Sequence, residues 1–388
     1  MTTMKKRAYN GFGLRASGSF AVNFLCAWDR RGREVSWSGI HLGLFSSLQE
    51  FADVIDIPLL YNFTARALGK ARNILDRLTG SSDFMTLHTR MCEHQIRRAA
   101  LNKNAPCLMF TEYLTEYTPQ SYLYQDLTVD YLMRMRVNPR LMKYTPLPPR
   151  VRPEKAQARL EHTMKVNRTC AGLFTMSEYL ADDLVRNSGI DPAKVHHVGG
   201  GCNIDTSRIN TQGRNGWRFL FAGRDWERKN GALVVEAFVK LRRKYSDAEL
   251  YIAGPSRVPD EVSGVEGVKF LGLLGYGELT EYFNLCDFFV MPSKFEAYGI
   301  VFPEALIFGL PCIGKDTCAM PEFIQDGVNG ALIHDDDPDE LAGCMERLIT
   351  DRKDLKAYVA AMHEEYLRKY SWSAVAERIV KVMKDDGF

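Results

Sequence analysis

From Phe219 to Met383 the chain alternates short apolar runs with amphipathic helical stretches, and few folds accept that pattern. Parallel strands need crossovers long enough to hold a helix, so repeated strand-helix-strand order predicts a doubly wound α/β sheet covered on both faces. Phe219 to Ala222 reads as a strand, Ala232 to Lys244 as a helix, and Leu250 to Ala253 as a strand stopped by Gly254-Pro255. Lys269 to Leu271, Leu279 to Leu285, Phe288 to Met291, Phe302 to Phe308 and Pro311 to Ile313 continue the alternation. Asp316 to Gly330 holds a helix-like segment with Asp-Gly and Asn-Gly turns, and Glu340 to Ile349, Lys353 to Tyr370 and Ser373 to Met383 read as helices.

The first half has the same character with a less regular signature. Lys5 to Tyr9 and Glu34 to Trp37 read as strands flanking a helix from Ser19 to Arg30. Ile55 to Leu59, Phe84 to Leu87, Cys107 to Phe110 and Ala171 to Thr175 supply further strands, and Glu178 to Asn187 a helix. Glycine and polar turn residues from Gly199 to Gly216 mark the boundary between two units. The expected division is 1–200, 201–372 and a closing helix over 373–388, with no repeat of fixed period.

A chain of 388 residues has room for two domains of ordinary size. Its net charge of +2 conceals an asymmetry: residues 1–170 carry 25 Lys or Arg against 14 Asp or Glu, and residues 171–388 carry 25 against 34. Nine cysteines, without a Cys-x-x-Cys pair or zinc-type spacing, predict a reducing cytoplasm and no structural metal. The opening residues lack a signal-peptide core and no apolar run reaches membrane-spanning length, so the expected location is cytoplasmic, at most peripheral on a membrane surface.

Three segments can carry chemistry. Leu220 to Lys229 places a glycine and then Arg224, Arg228 and Lys229 directly after a strand, at the end where open α/β sheets bind ligands. Arg224 and Lys229 can grip a diphosphate, and the same spacing also suits a solvated loop. Pro292 to Glu304 holds two carboxylates, Glu296 and Glu304, with seven residues between them. Gly299 permits a tight turn, and the amides of Ile300 and Val301 open the next helix toward an anion; equally, Glu304 is a favourable first-turn acid. Asn10 to Ser19, with Gly13 inside it, follows a strand but meets neither the dinucleotide nor the nucleoside-triphosphate fingerprint. His88 follows the apolar run Phe84 to Leu87 and can lie at a strand end, although a packed or surface histidine fits the same sequence, and of His196 and His197 only one can face a cleft if the segment is extended.

Together these segments resemble the retaining glycosyltransferases of family 4, whose GT-B fold sets two Rossmann-like α/β domains face to face across a cleft, with a C-terminal helix crossing back to the first domain. The resemblance is strongest over 171–388: Ser177, Gly200 to Asp205, Gly223-Arg224 with Lys229, Gly254, Phe270 to Gly272, Pro292-Ser293, Glu296 with Glu304, and Glu322 before Asp326-Gly327 and Asn329-Gly330. It implies transfer of a sugar from a nucleotide-diphosphate-sugar donor, with a preference for a UDP-sugar, to a glycan or lipid-linked acceptor, with no divalent metal and no further cofactor. Arg224 and Lys229 would neutralise the diphosphate, Glu296 contact the donor sugar and Glu304 hold the ribose hydroxyls. Gly13 would lie near the diphosphate, the backbone of Gly272, Leu273 and Leu274 near the nucleobase, and the amides of Gly299, Ile300 and Val301 near phosphate.

One departure concerns the acceptor side. Where related enzymes have a histidine at a strand end, Pro106 to Glu112 offers Glu112, unless His88 fills the neighbouring role. Tyr131 to Lys155 interleaves apolar residues with seven cations, a composition suited to an anionic membrane surface or a phosphate-bearing lipid, although its five prolines also fit a solvated loop. Competing readings are a nucleotide-sugar epimerase of the same fold, a catalytically idle scaffold, and a nucleic-acid-binding protein using the basic half, the last without a recognisable module. No pattern in the chain sets an oligomeric state.

Overall fold

The computed structural model describes residues 20–29, 32–59, 84–111, 113–114, 118, 120–136, 142–144, 153–210 and 214–388. Its first half is built on β1 (Ala21–Cys26), α1 (Ile40–Leu48), β2 (Asp53–Pro58), α2 (Phe84–Arg98), β3 (Cys107–Met109), β4 (Ser121–Gln125), α3 (Val129–Arg136), α4 (Pro153–Thr169), β5 (Gly172–Thr175), α5 (Glu178–Arg186) and β6 (Val195–His197). The six strands form one parallel sheet in the order β2-β1-β3-β4-β5-β6.

The second half contains β7 (Arg218–Ala222), α6 (Gly231–Arg242), β8 (Glu249–Ala253), β9 (Val268–Gly272), α7 (Tyr276–Leu285), β10 (Phe288–Val290), α8 (Val301–Ile307), β11 (Cys312–Lys315), β12 (Gly330–Ile333), α9 (Pro338–Thr350), α10 (Arg352–Ala361), α11 (His363–Lys369) and α12 (Trp372–Asp385). Its parallel order is β12-β11-β10-β7-β8-β9, which reverses direction between β7 and β10. A doubly wound sheet opens a crevice at such a reversal, beyond the carboxyl ends of its strands. The central strands are apolar at their middles, with Phe219, Leu220, Phe221, Phe288, Phe289 and Val290 all fully buried, because helices cover both faces.

Several expectations fail for physical reasons. The described residues of the segment expected as a helix over 19–30 form none: Ala21 to Cys26 is a largely buried strand, and its apolar run, interrupted at Asn23, fits burial on both faces. Glu34 to Trp37 belongs to a 3-10 segment over Arg33–Gly39. Phe84 to Leu87 opens helix α2, in which Thr89, Cys92 and Ile96 are buried at helical spacing, so His88 is not at a strand end. The helix expected over 353–370 is broken at Met362 into α10 and α11. Strand β4 went unanticipated because Ser, Tyr and Gln alternate there without an aliphatic run. The segment expected as a strand at Lys5 to Tyr9 and the glycine loop containing Gly13 lie outside the described residues.

Helix α12 returns to the first domain and packs on α1. Trp372, at its start, is wedged against two backbones: a Cβ on Gly43 or on Gly201 would come within 2.3 Å of its ring. Its indole N–H donates to Asn203 at 2.8 Å. Farther along, the Tyr122 hydroxyl donates to Asp386 at 2.6 Å, and Ser373 to Glu50 at 2.7 Å. Among the described residues no helix is long and apolar enough to cross a membrane. Replacing Trp372 with alanine is expected to lower the unfolding free energy by about 3–5 kcal/mol, read by urea denaturation; a loss under about 1 kcal/mol would show that the wedge is dispensable.

Candidate active site

The carboxyl end of β7 is crowded by backbone. Gly254, at the end of β8, has φ +121°, and a Cβ there would lie 2.4 Å from the carbonyl of Gly223. This close approach leaves Arg224 exposed at the strand end, with no carboxylate in ion-pair distance among the described residues. The chain then makes a tight turn, with Asn230 in the left-handed region at φ 62°, that sends Lys229 inward.

Lys229 is 8% exposed and Glu296 7%, and they form a direct ion pair. Glu296 lies in the loop after β10, so the pair joins the two strands flanking the reversal in the sheet. Burial pulls the Lys229 ammonium below its ordinary range, and the charge of Glu296 opposes that shift. Arg228 stands 3.5 Å from the same carboxylate oxygen and donates to the carbonyl of Phe295 at 2.8 Å. The Ser293 hydroxyl approaches that oxygen at 3.5 Å. Gly299, at φ +85°, makes the turn into α8; a Cβ there would meet both Glu296 and Phe302 at 2.9 Å. Ile300 and Val301 then open the helix.

Glu304, in the first turn of α8, is 3% exposed and accepts one hydrogen bond, from the amide of Asn203 at 3.1 Å. Burial pushes its carboxyl up to about 8. Gly272 ends β9 with φ +71°, and Leu273 and Leu274 lead to Tyr276 on the rim, with the Leu273 side chain 57% exposed. The charges of Glu304 and Arg224 both act on the Tyr276 hydroxyl, so these three groups share one end of the cleft.

The facing wall comes from the first domain. After β1, Trp37, Ser38 and Gly39 adopt φ of 44°, 55° and 85°, three successive left-handed residues. Two non-glycine residues held this way mark a constrained loop. His41, depressed to about 4 by burial and so neutral, supports the loop through the Ser36 hydroxyl at 2.7 Å. The carbonyl of Ser38 accepts from the Asn203 side chain and from the Tyr276 hydroxyl, each at 2.6 Å, and so reaches the second domain.

Asp126, one residue beyond β4, is the site residue that sequence reasoning missed. It is partly buried, and burial lifts its carboxyl to about 6, its own amide opposing and the negative charge of Glu296 adding. It therefore faces Glu296 from the opposite wall. An acid directly after Ser121 to Gln125 was its only signal, legible once that segment is known to be a strand. Glu112 lies outside the described residues, as does the side chain of His88. Of the seven cations between Tyr131 and Lys155, Arg134 is held internally by Asp130 and Asp183, and Lys143 pairs with Glu227 of the second domain.

Two further contacts fix the walls in place. The Glu322 carboxylate accepts the amides of Glu178 at 2.9 Å and Tyr179 at 2.7 Å, closing the first turn of α5 across the domain boundary. The Tyr298 hydroxyl donates to the carbonyl of Gly200 and accepts from its amide, both at 3.1 Å. Because the buried Glu304 binds a proton between its ordinary 4.5 and about 8, where the unfolded chain has released it, the folded state loses stability as pH rises through that window. In Glu304→Gln this loss, on the order of 5 kcal/mol, should vanish, measured as the pH dependence of urea denaturation against wild type; parallel profiles would rule it out.

Residues 216–351 match the model of the family described as glycosyl transferases group 1. Similar curated proteins include an uncharacterized glycosyltransferase of Methanocaldococcus jannaschii, 28% identical over 172 residues, covering 42% of this chain and 44% of that one. A phosphatidyl-myo-inositol mannosyltransferase of Mycobacterium leprae is 30% identical over 192 residues, covering 47% and 51%. The chain thus spans about half the length of the curated relatives it matches. Among solved structures, a glycosyltransferase of Rickettsia africae superposes with a TM-score of 0.60 at 13% identity, over 95% of this chain and 99% of that one. Anabaena HepE in complex with UDP and glucose does so with 0.60 at 13%, over 94% and 100%. The chain has the GT-B fold of two facing Rossmann-like domains and is related to the glycosyltransferases.

Proposed function

We propose that this protein is a retaining glycosyltransferase that moves a sugar from a nucleotide-diphosphate donor to a hydroxyl of a glycan or lipid-linked acceptor. The observation that carries this reading is the buried Lys229–Glu296 pair beside the exposed Arg224, at the crevice of the second sheet and opposite Asp126. As the bond between the anomeric carbon and the phosphate oxygen breaks, negative charge grows on the diphosphate and positive charge on the sugar. Arg224 and Lys229 oppose the first, and Glu296 lies where it can steady the second. In this reading fixed side-chain charge does the work a divalent metal would otherwise do.

Glu304, protonated near neutrality, offers one donor and one free acceptor to the ribose hydroxyls. The backbone of Gly272 to Leu274 flanks the base, and the amides of Gly299, Ile300 and Val301 the phosphates. A UDP-sugar is the preferred donor, in keeping with the UDP bound by Anabaena HepE. The new bond forms on the face the diphosphate leaves, and the acceptor proton passes to a departing phosphate oxygen. Asp126 orients the acceptor hydroxyl from the first domain. A lipid-linked acceptor accords with the mannosyltransferase relatives.

Arg224→Gln and Lys229→Ala should each lower transfer by about 10²–10³-fold in a product assay with UDP-sugars, because each removes charge aimed at the leaving group. Unchanged rates in both variants would overturn the phosphate assignment, and a second sugar formed without acceptor would establish an epimerase instead. Asp126→Asn should leave donor binding intact, measured by thermal shift, while transfer falls by about 10–100-fold and its acid limb near pH 6 disappears. A variant that loses donor binding instead places Asp126 on the donor side.

A further inference from the structure

Tyr298 stands between the Glu296 loop and a second cavity, of about 330 Å³, on the hinge side of the cleft. Its walls come from three parts of the chain: His197 and Gly199 from the end of the first sheet, Tyr298 and Glu322 from the second domain, and Lys369 and Arg378 from the closing helices. None of the chemistry proposed above uses it.

Two cations and two carboxylates line it, but among the described residues no ion pair joins them. Arg378 is partly buried and donates only to carbonyls, Val198 at 2.8 Å and Lys369 at 3.4 Å. Neither Arg378 nor Lys369 has a carboxylate within ion-pair distance among the described residues, although burial makes the guanidinium charge costly to leave unmatched. The two carboxylates at the cavity are committed elsewhere. Glu322 is held by the amides of Glu178 and Tyr179, and Glu178 stands 3.4 Å from His197. The positive fields of Arg378 and Lys369 both reach His197, so the two cations act on the same space. Phe323 and Tyr370 add aromatic walls, and the volume is at the small end of small-molecule sites.

We propose that this cavity binds a small phosphorylated molecule, with its phosphate on the guanidinium of Arg378 and the ammonium of Lys369. An arginine fork beside a lysine point charge is the donor set that phosphate oxygens accept best. Since the ligand would touch both domains and the helix that ties them, it stabilises the arrangement in which all three meet.

The test is thermal unfolding with millimolar inorganic phosphate or glycerol 3-phosphate, ionic strength being matched with chloride. Wild type and Arg224→Gln, in which the donor cleft has lost its exposed cation, should both gain about 2 °C with at least one probe. Lys369→Gln and Arg378→Gln should lose that gain. Lys369 is exposed, so its variant carries the test even if Arg378→Gln unfolds. No gain in wild type, a gain that survives in Lys369→Gln, or a gain abolished by Arg224→Gln would overturn the proposal.

Discussion

The side chain and amide of Asn203 hold together the three parts of the molecule. Its amide donates to Glu304 in the second domain, its Nδ2 to the Ser38 carbonyl in the first, and its Oδ1 accepts from Trp372 at the head of the closing helix. The half-buried Asn203 spends its amide N–H and both polar atoms of its side chain on these three partners, so one residue sets the spacing of all three elements. The left-handed Trp37-Ser38-Gly39 backbone exists to turn one carbonyl toward this junction, and Gly201 exists to let the Trp372 ring approach it.

On that frame the cleft separates two kinds of carboxyl. Glu296 sits in direct ion-pair contact with Lys229 and 3.5 Å from Arg228. Glu304 and Asp126 are pushed toward the protonated form mainly by burial. Environments that drive neighbouring acids apart are how a single fold supplies a charge in one place and a proton donor in another.

Legibility in the sequence followed the strength of the local signal. Most of the second domain's strands are apolar runs, so the residues after β7 and β10 could be read directly, whereas β12, directly behind the Asp-Gly and Asn-Gly turns, was not; Arg224, Lys229, Glu296 and Glu304 line one crevice. The first domain hides its sheet. Ala21 to Cys26 mixes an asparagine into an apolar run that also suits a helix, and Ser121 to Gln125 is polar at alternate places because Tyr122 and Tyr124 bury their rings while spending their hydroxyls on Asp386 and Gly199. Missing that strand meant missing Asp126. The contact of Glu322 with α5 was beyond reach for another reason, since it joins residues 143 and 144 positions apart that only the finished domain arrangement brings together.

The ion pair of Lys229 with Glu296 has a consequence for how the chain acquires its site. Its partners are 67 residues apart and belong to strands that become neighbours only when β10 inserts beside β7. The contact therefore exists only in a sheet in which β10 already lies beside β7. A chain in which only β7 to β9 are paired has the lysine without the carboxylate it contacts directly. The crevice then has a cation on the rim and an unfinished floor, and the geometry that would recognise a diphosphate sugar exists only once the sheet is whole.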